Sequence, residues 1–133
     1  MAFWASLADG RNVIAAAVAP LAAKLAGVRR ALEAGDIAEA NNLLGYRWFV
    51  RAEVRHGDKR GRTLGYPTAN LRLPDDCYLR HGIYAVRMAV DGLVRDGVAS
   101  FGRRPTFDNG APLLEVHLFD FAGDLYGRTI DVE

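Results

Sequence analysis

The chain has 133 residues, half of them hydrophobic and a quarter charged, with a formal net charge of +1. That length suits one domain with a single core, and the composition is that of an ordinary globular protein, not a fibrous or low-complexity one. A near-neutral balance gives no general pull toward polyanions, and one cysteine, Cys77, excludes an internal disulfide framework or a multi-cysteine zinc site. Few cysteines fit a reducing cytoplasm.

In chain order, Arg11 precedes an apolar run from Val13 to Ala23 that is loosely like a secretory signal. Pro20 and Lys24 interrupt the pattern, and it falls short of the roughly 20 apolar residues a bilayer requires. An amphipathic helix or leader is the simpler reading. A helix is then expected from about Val28 to Ala34, a break at Gly35, and a second helix from Ile37 to Leu44. Asp36 and Glu39 have capping-box spacing, and Gly45 stands where a helix would stop.

After Tyr46 the pattern changes to short strands. Trp48, Val50, Ala52 and Val54 alternate with charged residues through His56. Ile83 to Val90 and Leu93 to Phe101 flank Asp91-Gly92, a strong hairpin signal. Leu113 to Phe121 alternates again, and Ala122-Gly123-Asp124 turns the chain into Leu125 to Val132. Five or so short strands without βαβ alternation indicate an antiparallel barrel or sandwich.

Three features carry chemistry. The stretch HGDKRGRTLGYPTANL, His56 to Leu71, places Gly57, Gly61 and Gly65 at every fourth position among Lys59, Arg60 and Arg62. Glycines permit close backbone approach and the cations attract a polyanion such as triphosphate; a solvated connecting loop has the same composition. No GxxxxGK[ST] sequence is present, so this is not a Walker loop. Next, Thr68 and Asn70 stand two apart on an extended segment and project to one face, offering the hard oxygens that magnesium accepts. As simple strand-end decoration they would look no different. Finally, Leu114, Val116 and Leu118 share one strand face, and Glu115 shares the other with His117. A carboxylate serves as general base only within hydrogen-bond reach of its hydroxyl, and a polar outer strand face is the plain alternative.

Read in order, the segments ALEAGDIAEANNLLG, VRHGDKRGRTLGYPTANLRLP, HGIYAVRMAVDG, GVASFGRRPTF and LLEVHLFDFAGDLYGRTIDVE resemble the riboflavin kinase family. The likeness is to the form at the C-terminal end of bifunctional bacterial riboflavin kinase/FAD synthetases. The resemblance implies a mainly β fold, a six-stranded antiparallel Greek-key barrel with helices outside it. It implies that ATP and riboflavin are substrates, FMN is the product, and Mg2+ is held by Thr68 and Asn70. Glu115 is then the expected base. Gly57, Lys59, Gly61, Arg62 and Gly65 are candidates for nucleotide contact, and Tyr126 of DLYG lies near the binding region.

On the same grounds residues 1–27 are a leader of unknown role, 28–45 a helical connector and 46–133 the barrel. The family pattern continues past the DVE segment with a strand and a helix. An unpaired barrel edge and weak or absent kinase activity of the chain alone are therefore expected. An adenylyltransferase module is the expected partner, although its HxGH-type motif does not occur in this sequence. A cytoplasmic setting is expected, with no membrane and no nucleic acid as partner. Two alternatives remain: a flavin- or nucleotide-binding barrel without turnover, and a single-strand nucleic-acid barrel using the basic loop with Tyr66 and Trp48 as stacking groups.

Overall fold

The computed structural model describes residues 10–55 and 68–133. Two helices come first, α1 (Gly10–Ala34) and α2 (Ile37–Leu44). Gly35 separates them at φ +76°, a left-handed conformation that glycine adopts without steric cost. Its N–H returns to the Leu32 carbonyl, and that of Asp36 to Ala31. Asp36 caps α2 by accepting the Glu39 N–H at 3.0 Å, and Gly45 ends it at φ +79°. The capping signals thus give α2 its bounds. By contrast, α1 reaches far beyond the expected Val28–Ala34. The alanine-rich stretch favours helix strongly enough to continue through Pro20, which removes one backbone bond. Of this helix, Val28, Ala31 and Leu32 are buried, whereas residues 20–25 are exposed.

Six strands follow: β1 (Val50–Arg55), β2 (Thr68–Arg72), β3 (Gly82–Val90), β4 (Leu93–Arg103), β5 (Pro112–Leu118) and β6 (Thr129–Val132). They close into a barrel in the order β1-β2-β5-β4-β3-β6, every neighbouring pair antiparallel. β3, β4 and β5 follow one another as neighbours, while β2 lies beside β5 after a crossing connection, which is the Greek-key arrangement. The expected unpaired edge is absent. β6 pairs with β1 from Val50↔Val132 to Glu53↔Thr129 and meets β3 at Met88↔Val132. Arg87 and Glu133 then exchange both backbone bonds, at 2.8 and 2.9 Å. The barrel closes within the described residues because 68–72 forms a strand of its own and 129–132 supplies the last.

Period-two alternation fills the interior. Val54, Ala69, Leu71, Met88, Val90, Ala99, Phe101, Leu114, Val116, Leu118, Ile130 and Val132 are all buried in one continuous cluster. Each large side chain taken fully from water, such as Leu71, contributes about 2 kcal/mol. Asp91 (φ +52°) and Gly92 (φ +79°) make the two-residue hairpin that joins β3 to β4. Two strands are shorter than their alternation indicates. β5 stops at Leu118 because the chain turns at Asp120 (φ +52°), and β6 begins only after a turn closed by Arg128 N–H on the Leu125 carbonyl.

Candidate active site

On the outside of the barrel, strand register assembles one row of polar side chains. Asn70 on β2 lies opposite Glu115 on β5, and Thr68 lies opposite His117. Directly opposed residues of an antiparallel pair share a face, with Cβ atoms about 4.5–5.5 Å apart. β1 sets Arg55 opposite Asn70, and β4 sets Ser100 opposite Glu115. The row Arg55–Asn70–Glu115–Ser100 therefore crosses four strands at right angles to the chain. The alternate residues Ala69, Leu71, Leu114 and Val116 point into the core, and that inward anchoring fixes the outward row.

Burial along this face is uneven. Thr68 is exposed, the Glu115 side chain is 20% exposed, and Asn70 is only 7% exposed. A buried amide on the outer side of a sheet signals a built environment. Part of it is the connection from β4 to β5. Asp108, at φ +44° in that connection, accepts ion pairs from Arg55 at 2.9 Å and Arg72 at 2.5 Å, and the Arg55 guanidinium lies over the Phe107 ring. Arg104 pairs with Glu115, Nη2 to Oε1, at 2.7 Å. His117 packs edge-on against Phe119 with centroids 5.9 Å apart.

Of the residues singled out in the sequence, Thr68, Asn70 and Glu115 come together on this face. Gly57, Lys59, Gly61, Arg62 and Gly65 lie outside the described residues; their segment leaves from Arg55 and returns at Thr68, both at the edge of the row. Tyr126 stands off the row, in the connection from β5 to β6. Its N–H bonds to Asp124 Oδ1 at 2.9 Å, and the Gly127 N–H bonds to the Val54 carbonyl, which sets this turn beside the end of β1. Arg55, Arg72, Arg104 and Asp108 had no sequence signal as site residues: the first two read as solvated polar positions on alternating strands, and the other two lie in a connection.

The donor set suits a hard, phosphate-bridging cation. A threonine hydroxyl and an asparagine carbonyl are oxygen ligands, too few for an all-protein cage, and magnesium characteristically keeps waters and phosphate oxygens in its remaining positions. Among the described residues there is no group of three or more His, Cys, Asp or Glu side chains that could hold a metal ion.

Comparison with known proteins identifies the family. Residues 44–133 match the family model described as Flavokinase: Riboflavin kinase. The chain is 44% identical over 108 residues to a bifunctional riboflavin kinase/FMN adenylyltransferase of Listeria monocytogenes, covering 80% of this chain and 34% of that protein. It is 46% identical over 110 residues to the protein of the same name from Bacillus subtilis, covering 80% and 35% respectively. Among solved structures it is similar to one described as a macrolide-efflux protein from Streptococcus pneumoniae, with TM-score 0.68, 43% identity, and coverage of 79% of this chain and 35% of that one. The closed six-stranded antiparallel barrel is a riboflavin kinase-like fold. The chain belongs to the riboflavin kinase family. It spans about a third of the length of the curated relatives it matches. No helix among the described residues is long and apolar enough to cross a membrane.

Proposed function

We propose that this chain transfers the terminal phosphoryl group of ATP to the ribityl 5′-hydroxyl of riboflavin, giving FMN and ADP. The observation that carries the reading is the pairing of Asn70 with Glu115 across β2 and β5. It puts Asn70, which with Thr68 would face cation and phosphate, directly opposite a carboxylate. Phosphoryl transfer asks a protein mainly for alignment and charge neutralisation. Thr68 and Asn70 would hold Mg2+, which would supply positive charge to offset that of the phosphates. Glu115 orients the acceptor hydroxyl and takes its proton as the new P–O bond forms. The glycine- and cation-rich segment 56–67 starts and ends beside these residues, as a nucleotide-covering loop must.

The relatives' names add an FMN adenylyltransferase activity. The FMN made here is the substrate such a module would consume, so that module is the partner we propose. An ATP-dependent step and a chain with a single, unpaired thiol, Cys77, suit a cytoplasmic setting.

The test separates binding from chemistry. Mg·ADP and riboflavin are titrated into the wild-type chain and Glu115→Gln to measure binding, and FMN formation from Mg·ATP and riboflavin is followed in both. The variant should keep its nucleotide affinity and lose about 10²-fold or more in turnover. Loss of nucleotide affinity in the variant would count against Glu115 as base, and a wild-type chain that binds both ligands without making FMN would favour a binding module.

A further inference from the structure

Arg104 opens a turn in which Pro105 holds the second place and the Phe107 N–H returns to the Arg104 carbonyl at 3.1 Å. Proline there presets the backbone of such a turn. The connection is also tied down elsewhere. Asp108 is held by Arg55 and Arg72, the Gly110 carbonyl accepts from Arg103 at 3.1 Å, and Arg103 reaches on to the Asp75 carbonyl at 3.2 Å. Arg104 thus extends toward Glu115 from a fixed base, and its 2.7 Å contact engages Oε1.

We propose that Arg104 is a positioning residue that holds Glu115 by Oε1 and turns the carboxylate toward the acceptor hydroxyl; this rests on the kinase reading above. A base is effective when a third group fixes its orientation, and a charge-assisted bond of this length restricts a glutamate's terminal torsion. Arg104 is 55% exposed. An ion pair so open to solvent adds little to folding, so its geometry is better explained by the site than by stability. The guanidinium fork matters as well, because an ammonium presents a point charge without fixed direction.

The experiment compares wild type, Arg104→Met, Arg104→Lys, Glu115→Gln and the double variant Arg104→Met/Glu115→Gln. Each is assayed for kcat, KM for ATP, Mg·ADP affinity, and riboflavin affinity in the presence of Mg·ADP by flavin fluorescence. Arg104→Met should lower kcat by about 10- to 100-fold and weaken riboflavin several-fold, with KM for ATP and Mg·ADP affinity unchanged. Lysine should restore part of the loss. The double variant should be no worse than Glu115→Gln alone, since the two side chains act as one unit. Additive losses overturn the proposal, as does a loss of Mg·ADP affinity at constant kcat, which would make Arg104 a phosphate ligand. Should Arg104→Met fail to fold, the same comparison is made with Arg104→Lys, where unchanged kcat and riboflavin affinity overturn it. Full turnover in Glu115→Gln instead overturns the assignment of the base, and a wild-type chain that binds no riboflavin overturns the kinase reading itself.

Discussion

Gly97 shows how closely single residues constrain the site. A β-carbon placed there would lie 2.3 Å from the His117 carbonyl oxygen and 3.1 Å from the Leu118 Cα, both backbone atoms of the adjoining strand. Neither can step aside without spreading β4 from β5, two residues from Glu115. Gly97→Ala should therefore destabilise the fold by about 1–3 kcal/mol in a urea titration, and it should lower turnover in the molecules that do fold. An unchanged midpoint would show that the strands yield easily. At this scale the family resemblance singled out Thr68, Asn70 and Glu115, and strand register sets them on one face. The sequence was silent on Arg104, because nothing local marks an arginine after a strand as the partner of a glutamate in the next one. It was equally silent on Asp108, whose two arginines come from β1 and β2.

Elements were legible in proportion to how local their signals are. The bounds of α2 follow from Asp36, Glu39 and Gly45, all in or beside the helix itself. Asp36→Ala should cost about 1 kcal/mol, seen as a lower melting temperature with nucleotide affinity retained, because the polar row is carried by β1, β2, β5 and β4 and not by α2. A melt indistinguishable from wild type would mean that the cap is redundant. The β3–β4 hairpin was equally plain from Asp91-Gly92. Strand ends were less so: Leu113–Phe121 and Leu125–Val132 alternate beyond the residues that pair, since alternation records which residues face inward and not where a turn begins.

For the molecule as a whole, glycine-punctuated strands gave the class, but not the neighbour relations. That β2 lies beside β5, and that β6 seals the ring, depends on contacts between distant segments. The seal has an electrostatic component. Arg51 on β1 grips Asp131 on β6 with two bonds, at 2.6 and 2.8 Å. The hydrogen bond from Arg51 holds the Asp131 carboxyl below its ordinary range, and the same contact raises the Arg51 guanidinium. A carboxyl depressed in the folded state favours folding above its unfolded pKa, near 4, and that contribution fades as pH falls through the folded value. Wild type should therefore be more stable than Asp131→Asn at pH 7, and the gap should shrink below pH 4 and in high salt. Thermal melts of both proteins at the two pH values check this; a gap that persists in acid would assign the difference to packing.

The row of side chains across β1, β2, β5 and β4 also bears on how the protein reaches its native state. Its members are residues 55, 70, 115 and 100, so no short stretch of chain contains the row, and it exists only when four strands distant in sequence have docked. Such non-local pairings form late. Mg·ADP, if it recognises the row, has nothing to hold in the folding transition state, so saturating nucleotide should slow unfolding in stopped-flow experiments and leave the refolding rate nearly unchanged. Faster refolding would mean that part of the row is captured early by a half-built barrel.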